Sequence, residues 1–393
     1  MGMNRNSNDK LHPSTIELSK EALANNIEFL KLKAGPGVRL SSVIKGNAYG
    51  HGIPTFLPMA EACGVTHFSV FSANEAVKAL KARTNPETHI MIMGMISDDA
   101  LEWAVENDIS FYTFERGRLK AAVEAAKTLG RPARIHLQLE TGMNRIGFEE
   151  PEFGRVIRFL KSNREFLRVD GLCTHFAGAE SMENYERIQD QKRRFKQAVK
   201  RFRLEFGHIS CVHAASSAAL LTYPDTLYNM VRVGITQYGF WPSREVYMHL
   251  QKSDRKQGED PLRRVMRWKS SIMSVKQVPP GSYVGYGQMY KTIQTEKIAT
   301  VPIGYTHGFG RNLTNSGYVL VNGERSRVVG LVNMNMLTID VSSLPDVKRG
   351  DEVVMIGRQD GQEITVASFG EMSNNLNYEV LARLPEDIPR VVI

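Results

Sequence analysis

Long apolar runs are missing from this 393-residue chain. No stretch approaches the roughly 18 residues of a membrane-spanning helix, and the longest run, 90–96, is only strand-sized. Cysteine is scarce: Cys63, Cys173 and Cys211 cannot all pair, and nothing marks a disulfide scaffold. Residues 1–13 are polar and lack the apolar core of a secretory signal, so they read as a poorly ordered N-terminus, and a reducing cytoplasm is the expected compartment. Charge of one sign does not dominate either. The net charge is +8 and the isoelectric point is near 9.3, but the cations are scattered, with clusters only at 192–203 and 252–267. Those clusters are expected to face solvent on helices or a linker, so neither a nucleic acid nor a membrane is the predicted partner. No internal repeat and no metal-ligand pattern is visible. What remains, with 42% hydrophobic and 23% charged residues, is a soluble globular chain of about two domains.

Short apolar runs alternate with amphipathic helical patterns from residue 19 to about 255, the signature of repeated β/α units. Strands are predicted at 40–44, 67–70, 89–93, 109–112, 133–139, 168–174, 208–213 and 230–238. Helices fill the intervals; the first carries Leu23, Ile27 and Leu30 at i, i+4 and i+7. Eight such strands predict an α/β fold, an N-terminal (β/α)8 TIM-like barrel over 14–252 with its chemistry at the strand C-termini. The texture changes at 253–264, a polar linker or loop. Beyond it, 265–393 is β-rich with turn signals and predicts a mostly antiparallel β domain, with Asn322-Gly323 a candidate type I′ hairpin turn.

At the end of the first barrel strand stands Lys45, followed at once by Gly46-Asn47-Ala48-Tyr49-Gly50-His51-Gly52. Burial disfavours a charged lysine, and a depressed ammonium pKa is what a Schiff-base lysine requires. The small residues after it let backbone come close to a bound group. A lysine snorkelling from a strand end is the alternative reading of the spacing alone.

The segment IKGNAYGHG resembles the pyridoxal-phosphate (PLP) lysine signature of alanine racemases. Further segments repeat the resemblance in family order over roughly 13–393: IHLQLETGMNRIGF (135–148), GLCTHFAGAES (171–181), VHAASSAALL with NMVRVGITQYGFWPS (212–243), VGYGQMY (284–290), ATVPIGYTHGFGR (299–311) and NYEVLARL (377–384). The resemblance implies a fold-type III PLP enzyme that racemises a small amino acid, L-alanine to D-alanine and back, by a two-base mechanism. Lys45 would be one base, and Tyr286 in VGYG the other. Tyrosine with an ordinary pKa is a poor base at neutral pH; Arg145 and His175 would be its cationic neighbours. Arg232 would face the pyridine nitrogen, His175 would pack on the cofactor ring, and Tyr49, Ser217, Gly234, Ile235 and Tyr378 would hold the phosphate. Arg145 and the Met334 N–H would take the substrate carboxylate. The resemblance also implies a cytoplasmic homodimer with shared sites, Tyr286 and Met334 of one chain meeting Lys45 of the other, and D-amino acids for cell-wall peptide (peptidoglycan) as the role.

The chain departs from the family pattern at several positions. Gln138 stands where relatives carry a carbamylated lysine, Asn333-Met334-Asn335 replaces C-M-D, Leu331 replaces an arginine, Glu180 replaces an aspartate, and Gly178 occupies a small-residue position at an inner gate. These leave the expected catalytic set intact and open a second reading, a racemase of broader or shifted scope that accepts serine or larger side chains. A PLP-binding homeostasis protein is disfavoured because such proteins are a barrel alone. A decarboxylase is disfavoured because Arg232 stands where that class places a carboxylate.

Overall fold

A computed structural model of the chain describes residues 12–253, 260–373 and 377–393. Residues 1–11 and 254–259, which hold most of the expected disordered terminus and half of the expected linker, lie outside the described residues. The chain divides into two compact units: residues 21–45 with 56–263, and residues 12–20 with 46–55 and 264–393.

Strand β1 (Ser14–Leu18) belongs to the second unit. The first unit is built on β2 (Arg39–Val43), β3 (His67–Val70), β4 (His89–Ile92), β5 (Ser110–Thr113), β6 (Ala133–Gln138), β7 (Leu167–Cys173), β8 (Cys211–His213) and β9 (Met230–Val233). All pair in parallel, in the order β8-β7-β6-β5-β4-β3-β2-β9. A Ser216–Arg232 bridge, with N–H donation from Arg232 to the Ala215 carbonyl (3.0 Å) and from Asn229 to that of Val212 (3.3 Å), narrows the gap between β9 and β8 and nearly closes the ring. The helices bury the faces their spacing predicts. Phe153–Ser162 buries Phe153, Val156, Ile157 and Leu160, at i, i+3, i+4 and i+7. The stretch 230–238 is not one strand. It ends at Val233, and a 3₁₀ turn, Ile235–Tyr238, follows Gly234. Residues 260–263 are not a free linker either: Leu262 is buried, and Asn25 and Asn26 donate to the carbonyls of Pro261 and Arg263 (both 2.7 Å).

The second unit holds β10 (Met266–Ser271), β11 (Ser274–Val278), β12 (Glu296–Val301), β13 (Tyr318–Val321), β14 (Glu324–Arg327), β15 (Leu337–Asp340), β16 (Glu352–Gln359), β17 (Gln362–Ile364) and β18 (Arg390–Val392). One sheet runs β14-β13-β16-β10-β1-β18, with β17 paired to β16; a second runs β11-β12-β15. Among the described strands of this unit, only the β1/β18 pairing is parallel. Asn322 (φ 50°) and Gly323 (φ 76°) join β13 to β14 with two positive φ values, the requirement of a type I′ turn. The expected barrel boundary at residue 14 thus needs correction. β1 pairs with β10 along its whole length, and the buried Trp268 indole donates to Ser14 Oγ (2.6 Å).

The barrel interior is unusually polar. Ser41 and Ser69 share a 2.5 Å hydrogen bond, His67 Nδ1 meets Ser41 Oγ at 2.9 Å, His89 Nε2 meets Ser110 Oγ at 2.9 Å, and His136 Nδ1 meets His213 Nε2 at 2.9 Å. Burial, with nearby cations adding to it, pushes His136 down to about 3 and His89 to about 2, and holds His67 and His213 well below the ordinary imidazole value. These groups are neutral when folded and take up protons on unfolding, so their stabilising contribution is complete above about pH 6.5 and declines as pH falls below it. Each is expected to remove up to about 1.4 kcal/mol of stability per pH unit. Denaturant titrations at pH 7, 6 and 5 test this; a flat midpoint over that range would contradict the neutral-histidine interior.

Candidate active site

Lys45 follows β2 directly, at the strand C-terminal end of the barrel. It keeps solvent-accessible surface, yet protein surrounds the amine closely enough that desolvation lowers its pKa. The Arg145 charge lowers it further, Glu75 opposes, and Arg232 adds to the lowering. After Lys45 the backbone turns left-handed: Gly46 (φ 61°), Asn47 (52°), Ala48 (54°), Tyr49 (50°) and Gly50 (77°). Three of these are not glycine, and each left-handed L-residue costs about 1–2 kcal/mol. The segment holds because its polar groups are satisfied in that shape. Gly50 N–H donates to the Gly46 carbonyl (3.0 Å), Ile53 N–H to Asn47 Oδ1 (3.0 Å), and the Arg390 guanidinium to the Gly50 carbonyl (2.7 Å). A Cβ at Gly50 would lie 2.0 Å from the Leu381 carbonyl oxygen, so only glycine fits there.

Arg232, on β9, is 5% exposed and has no carboxylate partner among the described residues. Nη2 donates to the carbonyls of Thr174 (2.8 Å) and Ala214 (3.0 Å) and lies 3.4 Å from His175 Nδ1; Nη1 donates to His213 Nδ1. One Nη1–H and the Nε–H carry no bond among the described residues. His175 follows β7. Burial first, then the charges of Arg232, Arg145 and Lys45, push it down to about 3. His175 is therefore neutral, and the expectation that it could serve as a cation beside a tyrosine needs correction. Only Arg145 has the charge.

Arg145 lies on the loop after β6, exposed and without an acidic partner among the described residues. Glu140 shapes that loop. Burial works against its charge, but the backbone N–H groups it accepts, including those of Gly142 (2.5 Å), Met143 (2.7 Å) and Arg145 (3.2 Å), hold its carboxyl below the usual range. Gln138 is buried and accepts from Cys173 Sγ (3.3 Å). The inner-gate position Gly178 (φ 85°) is not an open wall: a Cβ would lie 2.3 Å from Asn184 Nδ2, which donates to the Gly178 carbonyl. Glu180 is exposed, and its carbonyl accepts from Ser243 Oγ (2.5 Å).

Ser217 Oγ accepts from Gly234 N–H (2.8 Å), and the N–H of Ile235, in the first turn after β9, has no acceptor within that turn. Hydroxyl, bare backbone and open N–H suit a phosphate; an amine of lowered pKa suits an aldehyde; a buried cation with spare donors suits a ring nitrogen. The residues of this unit fit PLP. In the second unit, Tyr49 is buried with its ring centroid 6.0 Å from that of Tyr378. Tyr286 is 72% exposed between two left-handed glycines, Gly285 and Gly287. Met334 is 54% exposed, and its carbonyl accepts from the Thr306 N–H (3.1 Å) and hydroxyl (2.7 Å). Asn335 Nδ2 donates to the same hydroxyl (3.2 Å), and Asn333 N–H to the Met336 carbonyl (3.0 Å). Sequence reasoning passed over His213, Thr174, Ala214, Glu75 and Glu140. An acid two residues before the GMNR run was the legible signal for Glu140; the carbonyl acceptors had none.

The electrostatics around Lys45 carry a sign that can be checked in cofactor-free protein. Arg145→Leu should move the pH midpoint of Lys45 amine modification up, and Glu75→Gln should move it down. Competitive labelling followed by peptide mapping reads both. Equal midpoints in all three proteins would remove these charges from the site.

Two family models match successive stretches of the chain. Residues 18–242 match the family "Alanine racemase, N-terminal domain" and residues 265–392 "Alanine racemase, C-terminal domain". The alanine racemase of Leptospira interrogans is 34% identical over 388 residues, covering 97% of this chain and 96% of that protein. That of Methanococcus maripaludis is 33% identical over 386 residues, 97% of this chain and 99% of its own. Among solved structures, alanine racemase from Clostridium difficile superposes with a TM-score of 0.88 at 32% identity, over 97% of this chain and 96% of that one. The enzyme from Streptomyces coelicolor gives 0.87 at 31%, over 97% and 98%. The chain belongs to the alanine racemase family of PLP-dependent racemases.

Proposed function

We propose that this protein interconverts L- and D-alanine with PLP, using Lys45 on one face of the substrate Cα and Tyr286 on the other. The observation that carries the reading is Arg232, a buried guanidinium bound, among the described residues, only by carbonyls and imidazole, with two N–H groups to spare. A guanidinium cannot accept a proton, so it meets a ring nitrogen only as a donor and keeps that nitrogen unprotonated. This weakens the electron sink and favours a proton removed and returned quickly over decarboxylation.

Bound PLP supplies the delocalisation that lets an α-proton leave. The chain does the rest. Lys45 Nζ, its pKa lowered by burial and by the charges of Arg145 and Arg232, holds or takes the proton on its face of the Cα. Arg145, without an acidic partner among the described residues, binds the substrate carboxylate with the Met334 N–H as second donor. Ser217, Gly234, Ile235, Tyr49 and Tyr378 hold the phosphate, and His175, kept neutral, packs on the ring. The exposure of Tyr286 and Met334 supports a C₂ homodimer in which each chain's pair completes the partner's Lys45 site. No helix among the described residues is long and apolar enough to cross a membrane. A cytoplasmic enzyme supplying D-alanine for peptidoglycan is the role that fits.

A broader scope is the second reading. Leu331 cannot form an ion pair with Glu180, so the gate lacks a charged clasp, and Asn333 and Asn335 leave no acid beside the Met334 carboxylate donor. One methylene of pocket fit is worth about 1–3 kcal/mol, so serine is expected within about tenfold of alanine in kcat/KM, with lysine poor. Assaying the three substrates, with Leu331→Arg as the control, decides it; an alanine preference near a thousandfold, unaltered in Leu331→Arg, would leave the narrow assignment.

Two experiments test the main assignment. Borohydride reduction and peptide mapping should find the cofactor on Lys45; label on another lysine would overturn that. Tyr286→Phe should keep the yellow cofactor and lose about 10²–10⁴-fold or more in racemisation, and mixing it with Lys45→Ala should restore activity through heterodimers carrying one intact site. Near-normal activity in Tyr286→Phe would remove the tyrosine from the mechanism, and no restoration after proven subunit exchange would mean that each chain builds its own site.

A further inference from the structure

We propose that His136 is a positioning residue: through His213 it fixes the direction in which Arg232 donates, and so sets the hydrogen bond that the cofactor's pyridine nitrogen receives. The inference rests on the reading of Arg232 given above and extends it two residues into the barrel.

The argument is a count of protons. Arg232 has only donors, so His213 Nδ1, which it faces, must present a lone pair. A neutral imidazole carries one N–H, and that of His213 is therefore on Nε2. His213 Nε2 stands 2.9 Å from His136 Nδ1, which must then be the acceptor, placing the His136 proton on its own Nε2. All three side chains are buried. Only one arrangement of protons satisfies the chain, running from guanidinium to His213 to His136. Reversing either ring sets donor against donor between buried side chains, which leaves both unsatisfied.

The packing makes room for this chain. A Cβ at Gly171 on β7 would lie 2.2 Å from His136 Nδ1, so the ring occupies space that only glycine leaves open on the neighbouring strand. Cys211 Sγ also lies with the nitrogens of His136 and His213 within 4.8 Å of one another, a grouping that could attract a soft metal. The lone pairs a metal would need are those already taken by Arg232 and by His213 Nε2–H, and Arg232 itself repels a cation. Hydrogen-bond relay is the use the geometry supports.

What the relay does for Arg232 follows from its remaining bonds. Two carbonyls engage Nη2 and His213 engages Nη1, which together fix the guanidinium plane. Without an acceptor at position 136, the buried His213 Nε2–H is unsatisfied. The ring then gains by turning, and Nη1 loses its anchor.

Nitrogen-15 NMR of the cofactor-loaded protein tests this without relying on turnover. With labelled histidine, both His136 and His213 should appear as neutral Nε2–H tautomers near pH 7. With labelled pyridine nitrogen, His136→Leu should move the cofactor resonance part of the way toward its position in Arg232→Leu. His136→Asn, whose amide oxygen can stand where Nδ1 stood, should move it back. In parallel, kcat should fall between about fivefold and a hundredfold in His136→Leu, the range that an unsatisfied buried donor implies, and recover in His136→Asn. A Nδ1–H tautomer at either histidine overturns the proposal. So does a pyridine resonance that Arg232→Leu moves and His136→Leu does not. If Arg232→Leu itself leaves the resonance unmoved, the reading of Arg232 falls and takes this one with it. The tautomer measurement uses the unsubstituted protein and stands even if His136→Leu does not fold. Gly171→Ala, which would push the His136 ring off its acceptor position, should then shift the resonance as His136→Leu would.

Discussion

A guanidinium that cannot lose its proton, placed inside a barrel without a carboxylate partner among the described residues, constrains the groups around it. Each neighbour of Arg232 must accept or stay neutral. The Thr174 and Ala214 carbonyls accept, His213 turns a lone pair toward it, and His175 and His213 are both held far below the pH at which they would charge. The same positive field reaches Lys45 and adds to the burial that lowers its ammonium pKa. Replacing the bonds of Arg232 by one carboxylate would satisfy the charge locally but abolish that field. The lowered ammonium pKa of Lys45 and the neutral imidazoles of His175 and His213 thus come first from burial, and the charge of Arg232 adds to that burial at all three.

The polar interior is a departure from the usual filling of such barrels by branched aliphatic layers. Here Ser41, Ser69, Ser110 and the four histidines on β3, β4, β6 and β8 occupy inward positions, and their hydrogen bonds run across strands where side chains would otherwise interdigitate. Apolar packing is displaced to the outside of the ring, where the helices press Leu23, Ile27, Val156 and Leu160 against the strands. Specificity of orientation takes precedence over hydrophobic filling.

Much of this was legible in the sequence because it depends on period. Eight apolar runs separated by helical faces announce the barrel, and Lys45 at a strand end announces its own unusual environment. The limits are equally physical. A five-residue alternating strand such as β1 carries no label for the sheet it will join, so it was assigned to the barrel when its partners are β10 and β18. A strand and the turn that ends it look alike when both are apolar, which merged Met230–Val233 with Ile235–Tyr238. His175 reads as a potential cation in isolation, and only the assembled charges around it decide otherwise. His136 and His213 sit within segments that carry the family resemblance, but a proton order shared among three side chains exists only once the strands are side by side. The positive φ values at Asn47, Ala48 and Tyr49 were hidden for the same reason, although the glycines around them hinted at a bend.

That left-handed bend has a consequence for the order in which the molecule is made. Locally it is uphill, and beyond its own short-range bonds its support, the Arg390 guanidinium on the Gly50 oxygen, comes from more than 300 positions later in the chain. A growing polypeptide has only the turn's own short-range bonds to brace it until Arg390 has left the ribosome. Closing so long a loop is slow compared with forming adjacent β/α units. The nascent chain can therefore own most of its barrel while the backbone beside Lys45 still lacks its long-range support, and synthesis of the segment around Arg390 is the event that supplies it.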